Sequence, residues 1–323
     1  MSTSPSHFLV DTQGSHDQVD RALVQQHLDQ TAFFWLDLHR PSPDEIGMLG
    51  ELFALHPLAV EDVSHFDQRP KLDDYDDFML LVAYGANADD DGLVEVHCFL
   101  SDRFLITVHH DDCPAFEELR RRTTRDPSAI TRGTPLLLHA IVDALVDSFF
   151  PELSELDDRI DDLEAAMLRQ PTDAQLQEIF HLKRRIVGWR KIITAQRDLF
   201  MGIVAGVVKL PGMSAETERY YRDVYDHLIR ISDLVDSYRD LLTGAMDLYL
   251  STVSNRLNLV MKRLTIVSTV FLPLMWITGF FGMNFEALVR GISGWSMFLV
   301  FGIATQITAV VIMLIVFRRR GWM

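Results

Sequence analysis

Cysteine is almost missing from this chain. Two in 323 residues, Cys98 and Cys113, exclude the disulfide framework that staples small secreted domains, and no structural disulfide is expected. Basic residues are scarce as well, 30 Lys and Arg against 46 Asp and Glu, for a formal net charge of −16. An excess of acid argues against a polyanionic partner, so nucleic acid is excluded. No Walker loop, Gly-x-Ser-x-Gly elbow or His-Glu-x-x-His motif occurs, and nothing recommends an enzyme. The opening residues MSTSPSHFLVDTQG lack the basic-then-apolar order of a secretory signal, so none is expected. Proline is absent between Pro211 and Pro273, which removes the strongest helix breaker from a long stretch.

What is present in excess is apolar sequence near the end. Leu264–Asn284, LTIVSTVFLPLMWITGFFGMN, carries no charge, and roughly 20 such residues suffice to cross a bilayer core of about 30 Å. A second uncharged run, 294–317, follows after nine residues. The average composition hides this split. From Arg256 onward there are seven Lys/Arg against the single acid Glu286, which leaves 23 basic and 45 acidic residues upstream. An acidic, cation-attracting body on a basic, apolar tail predicts a cytosolic part fixed to a lipid bilayer. Lys262 and Arg263 stand at the entry to the first run and Arg318, Arg319 and Arg320 at the exit of the second. The positive-inside rule then puts both termini in the cytoplasm and the short loop outside, in the plasma (inner) membrane of a prokaryote.

In chain order, residues 1–30 are a variable segment and 31–135 an α/β domain. Short runs rich in β-branched and aromatic residues, Ala32–Leu38, Phe78–Tyr84, Leu93–Leu100 and Arg103–His109, read as strands. Ser42–Phe53 opens with Ser-Pro-Asp-Glu, a helix start, and Asn87–Gly92 (NADDDG) is a hairpin turn. Residues 136–214 form a helical hairpin, with apolar spacing over Leu136–Met167 and again over Asp173–Val208. Its acidic run, Glu152 to Glu164, is a solvated helix face. Ala215–Met283 is then one helix of about 69 residues, roughly 100 Å. A helix so long cannot bury its own apolar stripe, which implies parallel copies and hence a homo-oligomer. Its parts are a stalk, 215–263, and a first span, 264–284; an external loop, 285–293, a second span, 294–317, and a basic tail, 318–323, follow.

At Gly282-Met283-Asn284 the sequence resembles the CorA family of magnesium and divalent-cation transporters. The tripeptide sits at the outer end of the first of two C-terminal spans. His56–Tyr75 (HPLAVEDVSHFDQRPKLDDY), Tyr221–His227 (YRDVYDH), Val253–Leu264 (VSNRLNLVMKRL) and the tail RRRGWM match family patterns in order. The resemblance covers roughly residues 30–323. It implies a funnel-shaped homopentamer with an α+β cytosolic domain, long helices and two transmembrane helices per subunit. Its zinc-associated branch, ZntB, shares that architecture. Relatives often follow the tripeptide with Phe-Glu-x-Met-Pro-Glu-Leu; here Glu286 is kept but Arg290 replaces the second acid, so the outer loop is less negative.

Gly282, Met283 and Asn284 are accordingly the expected selectivity filter. A ring of Asn284 amides can hydrogen-bond the water shell of Mg2+, which the ion gives up reluctantly. By position alone Asn284 is equally a helix C-cap. Asn258, Met261, Leu264, Ser268, Leu272, Met275 and Gly279 recur at helical spacing and match the family's pore-lining set, with Met275 where relatives often carry Thr. Without the resemblance, such a Met/Leu stripe reads as packing. The resemblance also implies regulatory metal binding at Asp223 and an axis-facing Asp247. Asp226 and Asp233 share their helix, and Asp89, Asp90 and Asp91 are candidate partner carboxylates. Bound ions would cross-link subunits by neutralising opposed carboxylates. Ordinary solvated or salt-bridged acids, Asp223 beside Arg222, are the alternative. The sequence thus predicts a Mg2+ influx channel, gated by cytosolic Mg2+, with Co2+ and Ni2+ as further substrates. The alternatives are a Zn2+ transporter, proton-coupled in one form, and a non-conducting membrane-anchored sensor.

Overall fold

Alternation with a period of two shapes the first half of the chain. Phe34, Leu36 and Leu38 belong to one apolar core, while Trp35 and Asp37 between them point to the other side of the strand. The computed structural model describes residues 7–30, 32–87, 92–126, 133–283, 286–291 and 294–322. They divide into two units, Met1–Ala166 with Thr172–Met246, and Met167–Pro171 with Asp247–Met323.

The first unit opens with a hairpin of His7–Val10 (β1) and Ser15–His16 (β2), then a helix, Arg21–Asp29 (α1), capped by the Asp20 carboxylate. Phe34–His39 (β3), Pro43–Leu52 (α2), Pro57–Ser64 (α3), Lys71–Asp74 (β4), Met79–Ala86 (β5), Leu93–Leu100 (β6) and Phe104–His109 (β7) follow. The strands form one sheet in the order β2-β1-β3-β7-β6-β5-β4. Only β3 and β7 run parallel; the other neighbours are antiparallel. α2 starts as its sequence predicts: the Ser42 hydroxyl accepts from Glu45 N–H, and Glu45 accepts from Ser42 N–H at 2.7 Å. Residues 7–30, set apart in the sequence reading, add the antiparallel partner of β3.

Four helices complete this part: Pro114–Arg125 (α4), Thr134–Asp147 (α5), Phe149–Arg169 (α6) and Asp173–Val204 (α7). α5 packs on β5 and β7, and α7 on β4 and β5. The face carrying Phe34, Leu36, Phe99 and Ile106 packs instead with Val24 of α1, Ile46 and Leu49 of α2 and Val63 of α3. Helices therefore cover both faces of the inner strands. His97 and Cys98 are consequently both fully buried, where alternation in the sequence predicts a half-buried strand.

The single helix expected over 136–167 breaks at Ser148. β4 pairs β5 only as far as Val82, so the backbone of β5 beyond that point needs other partners. The Ser148 hydroxyl accepts from Ala86 N–H at 2.7 Å and donates to Leu145 O. Gln196 of α7 takes both backbone groups of Tyr84: its Oε1 accepts from Tyr84 N–H at 2.7 Å and its Nε2 donates to Tyr84 O at 3.1 Å. Gly85 lies against these helices, and a Cβ there would meet Leu145 and Ser148 at 2.9 Å. Two helix side chains thus finish a sheet edge that no strand covers.

A charged group is also sealed inside. Asp37 is fully buried and accepts from Arg120 Nε at 2.7 Å and from the Thr107 hydroxyl. His109 lies 3.5 Å away and stacks on His39 and on Phe116. Burial raises the Asp37 pKa, but His109 first, then Arg120 and Thr107, outweigh it and hold it down at about 2.

The longest element, Thr217–Phe281 (α8), contains Pro273. Its C-terminal part belongs to the second unit, with a short helix Glu286–Gly291 (α9) and a last apolar helix Trp295–Arg319 (α10). α8 and α10 are both long and apolar enough to cross a membrane. Within α10, Phe298–Ala304 winds as a π-helix, a feature that apolar periodicity does not announce.

Candidate functional site

The pore candidates occupy the C-terminal stretch of α8. Asn258, Met261, Leu264, Ser268, Leu272, Met275 and Gly279 are all exposed in the single chain, Leu272 at 73% and Met275 at 69%. Water-facing Leu and Met in a row are unfavourable unless lipid or another chain covers them. The helix ends where the Gly-Met-Asn motif begins: Gly282 N–H donates to Thr278 O at 2.9 Å and Met283 N–H to Phe280 O at 3.3 Å. A Cβ at Gly282 would stand 3.0 Å from that Thr278 oxygen, so a side chain there would crowd the final turn. Asn284 lies outside the described residues, as do Asp89, Asp90 and Asp91.

Two charged features flank the apolar segments. Lys262 Nζ donates to Gly321 O at 3.1 Å, and Trp322 stacks on Phe317. The start of the apolar part of α8 and the end of α10 are therefore neighbours, with Lys262, Arg263, Arg318, Arg319 and Arg320 in one basic zone. On α9, Arg290 Nη2 pairs with Glu286 Oε1 at 2.7 Å. The loop's acid is matched by the residue that replaces its expected acidic companion.

A second constellation lies in the first unit, and sequence reasoning located only its edge. Asp223, Asp226 and Asp233 are exposed on the first unit's part of α8, as is Asp247 at the start of the second unit's part. Arg222, the neighbour expected to pair with Asp223, bonds Glu218 instead at 3.3 Å. One turn on from Asp223, His227 Nδ1 stands 3.0 Å from Asp147 Oδ1 of α5. Asp143, Asp147 and His227 each offer a ligand atom, and the three atoms lie within 4.8 Å of one another. The i, i+4 spacing places both aspartates on one face of α5, and His139 begins the same row. Burial pushes the Asp143 carboxyl above the usual range, and the charges of Asp147 and Asp223 add to that. Burial also holds the His139 imidazole below its ordinary value despite both Asp143 and Asp223. Asp143 is thus held in a way that a divalent cation relieves, because the cation stabilises the ionised carboxylate. Oxygen ligands suit Mg2+, while the imidazole extends the set toward Co2+, Ni2+ and Zn2+. The signal was legible in principle: His139, Asp143 and Asp147 recur every four residues within the apolar TPLLLHAIVDALVD.

Comparison with known proteins bears on the whole chain. Residues 30–319 match the sequence profile of the CorA-like Mg2+ transporter protein family. A cobalt/magnesium transport protein CorA of Thermotoga maritima is 34% identical over 303 residues, covering 91% of this chain and 85% of that protein. A zinc transport protein ZntB of Yersinia enterocolitica is 24% identical over 254 residues, covering 77% and 76% of the two. Among solved structures, the CorA magnesium transporter from Methanocaldococcus jannaschii superposes with a TM-score of 0.83 at 24% identity, covering 98% of both chains.

Proposed function

The chain belongs to the CorA family of divalent-cation transporters, and from that premise we propose that it is a Mg2+ influx channel closed by cytosolic Mg2+. The observation that carries the reading is the exposed, uncharged row from Asn258 to Gly279, which runs into Gly282-Met283-Asn284. Five such helices arranged around an axis line a pore with these side chains. Asn284 amides then hold the hydrated ion at the outer end, with Met261 and Leu264 as an apolar constriction near the inner end. Co2+ and Ni2+ fit the same filter. Both termini face the cytoplasm, so the acidic unit meets the cell's own Mg2+.

Regulation follows from the clustered carboxylates. With a cation bound, Asp143, Asp147 and Asp223 are neutralised; without it they repel, and a bias of a few kcal/mol suffices to shift a two-state gate. The pairing of Asp223 with the acidic turn 89–91 of a neighbouring copy extends the same logic across the oligomer. The imidazole of His227 favours a second reading in which Zn2+ or Co2+ is the cargo or the inhibitor.

Uptake by proteoliposomes of Mg2+, Co2+, Ni2+ and Zn2+ in parallel separates these readings. Mg2+ flux that falls as luminal Mg2+ rises supports the channel. Zinc flux lost on collapse of a proton gradient supports the second reading, and no flux at all leaves the non-conducting sensor. Asn284→Ala should abolish uptake with the oligomer intact. Asp223→Lys should keep uptake going at Mg2+ concentrations that close the unmodified chain; unchanged inhibition removes Asp223 from the regulatory set.

A further inference from the structure

The apolar helix α10 carries three polar positions within four residues, Thr305, Gln306 and Thr308. The two threonines spend their hydroxyls on their own helix, Thr305 on Phe301 O and Thr308 on Ala304 O at 2.8 Å. Gln306 does not. Its Nε2 donates to Thr278 Oγ1 of α8 at 3.1 Å. Thr278 Oγ1 in turn donates to Leu274 O at 2.8 Å, so its proton is committed and it meets Gln306 as an acceptor. That fixes which end of the glutamine amide faces α8.

The location gives this relay its meaning. Thr278 lies one turn before Gly282, the first residue of the Gly-Met-Asn motif, and its carbonyl accepts from Gly282 N–H at 2.9 Å. On a helical wheel it falls about 90° from the centre of the row that includes Leu272, Met275 and Gly279, on the flank rather than in the pore. The π-helical stretch Phe298–Ala304 ends two residues before Gln306. One extra residue in a turn rotates all that follows by about 100°. The ring contact Phe281–Phe301 also joins the two helices, but an apolar contact tolerates rotation, whereas a hydrogen bond in hydrocarbon is directional and has no water to replace it.

We propose that the Gln306–Thr278 bond is a rotational latch: it fixes the outer turn of the pore helix against the second span, and the π-turn supplies the register that lets Gln306 reach. Gln306 and Thr278 are positioning residues, and neither touches the ion. The proposal rests on the pore reading above, since it is the filter's orientation that the latch sets. Substitution should therefore lower maximal Mg2+ flux while leaving the Mg2+ concentration for half-maximal uptake unchanged.

Four variants test it in proteoliposomes, with oligomer size measured on the same preparations: Thr278→Val, Thr278→Ser, Gln306→Leu and the Thr278→Val/Gln306→Leu double. Thr278→Val and Gln306→Leu should each cut maximal flux about threefold to tenfold, the range expected for one interhelical bond in a membrane. The double should fall no further than either single, because both remove the same bond. Thr278→Ser keeps the hydroxyl and should retain flux. Wild-type flux in Thr278→Val, or losses that multiply in the double, overturn the latch. If Gln306→Leu does not assemble, the Val/Ser pair at Thr278 still decides. No divalent uptake by the unmodified chain overturns the pore reading and the latch with it.

Discussion

Asp37 keeps its charge in a place from which water is excluded, and it does so because Arg120 and His109 stand beside it. A carboxyl whose pKa is 3.8 in the unfolded chain and about 2 when folded stabilises the fold fully above the unfolded value. That contribution is lost as pH falls through the folded one. Acid unfolding of the purified chain should therefore show a component between about pH 4 and pH 2 that Asp37→Asn removes. At neutral pH the same substitution removes one charged, fully buried partner of the Arg120 guanidinium, and should cost about 3–5 kcal/mol in thermal or denaturant unfolding. An unchanged midpoint would show that Arg120 finds another partner. None of this was legible in the sequence. Asp37 sits in the run AFFWLDL, where a single acid on an apolar strand gives no sign that residues about 70 and 83 positions away will surround it.

At the level of elements, what could be read and what could not divide along a physical line. The four strands recognised from β-branched and aromatic runs, and the capping box at Ser42, are local signals; their causes lie within a few residues. The break at Ser148 is not local. It exists because β5 outruns β4 and needs hydrogen-bond partners, and those come from Ser148 and, from 112 positions away, Gln196. Gln196→Leu keeps the volume but leaves the N–H and C=O of Tyr84 without partners. It should destabilise the first unit by about 1–3 kcal/mol per group. Faster hydrogen exchange at Tyr84, relative to the pairs of β5 with β6, is the accompanying mark; identical exchange would mean that water or another side chain takes over. The cation cluster divides in the same way. Asp143 and Asp147 share a face of α5 by spacing alone, whereas His227 joins them only through the packing of α5 against α8.

On the scale of the whole molecule, the acidic first unit and the apolar second unit suit different surroundings, and the proposed inhibition by a cytosolic cation has a pH signature. Because burial raises the Asp143 pKa, protons would compete with a cation bound there at higher pH than they would at an exposed aspartate. The cation binds the ionised form. Lowering luminal pH into the acid range should thus raise the Mg2+ concentration needed to halve uptake, and do so before an exposed aspartate would respond. Asp143→Asn should flatten that dependence. A half-inhibitory concentration that does not move with pH in the unmodified chain would remove Asp143 from the sensing group.

The Glu286–Arg290 pair on α9 has a kinetic consequence. A transporter whose outer mouth is ringed with carboxylates draws cations in by long-range steering, and its entry rate drops steeply as salt screens that field. Here each carboxylate is answered by a guanidinium one helical turn away, so an arriving ion meets a small dipole instead of a net charge. With this loop outside, as proposed, entry is unsteered, and the initial rate of Mg2+ uptake at low Mg2+ should hardly change between about 0.01 M and 0.15 M ionic strength, where the Debye length shrinks from about 30 Å to about 8 Å. Arg290→Gln frees the acid and should make uptake faster in dilute salt and newly sensitive to it. The expected outcome is a transporter without a capture field in fresh water, whose rate stays the same whatever the saltiness of what lies outside.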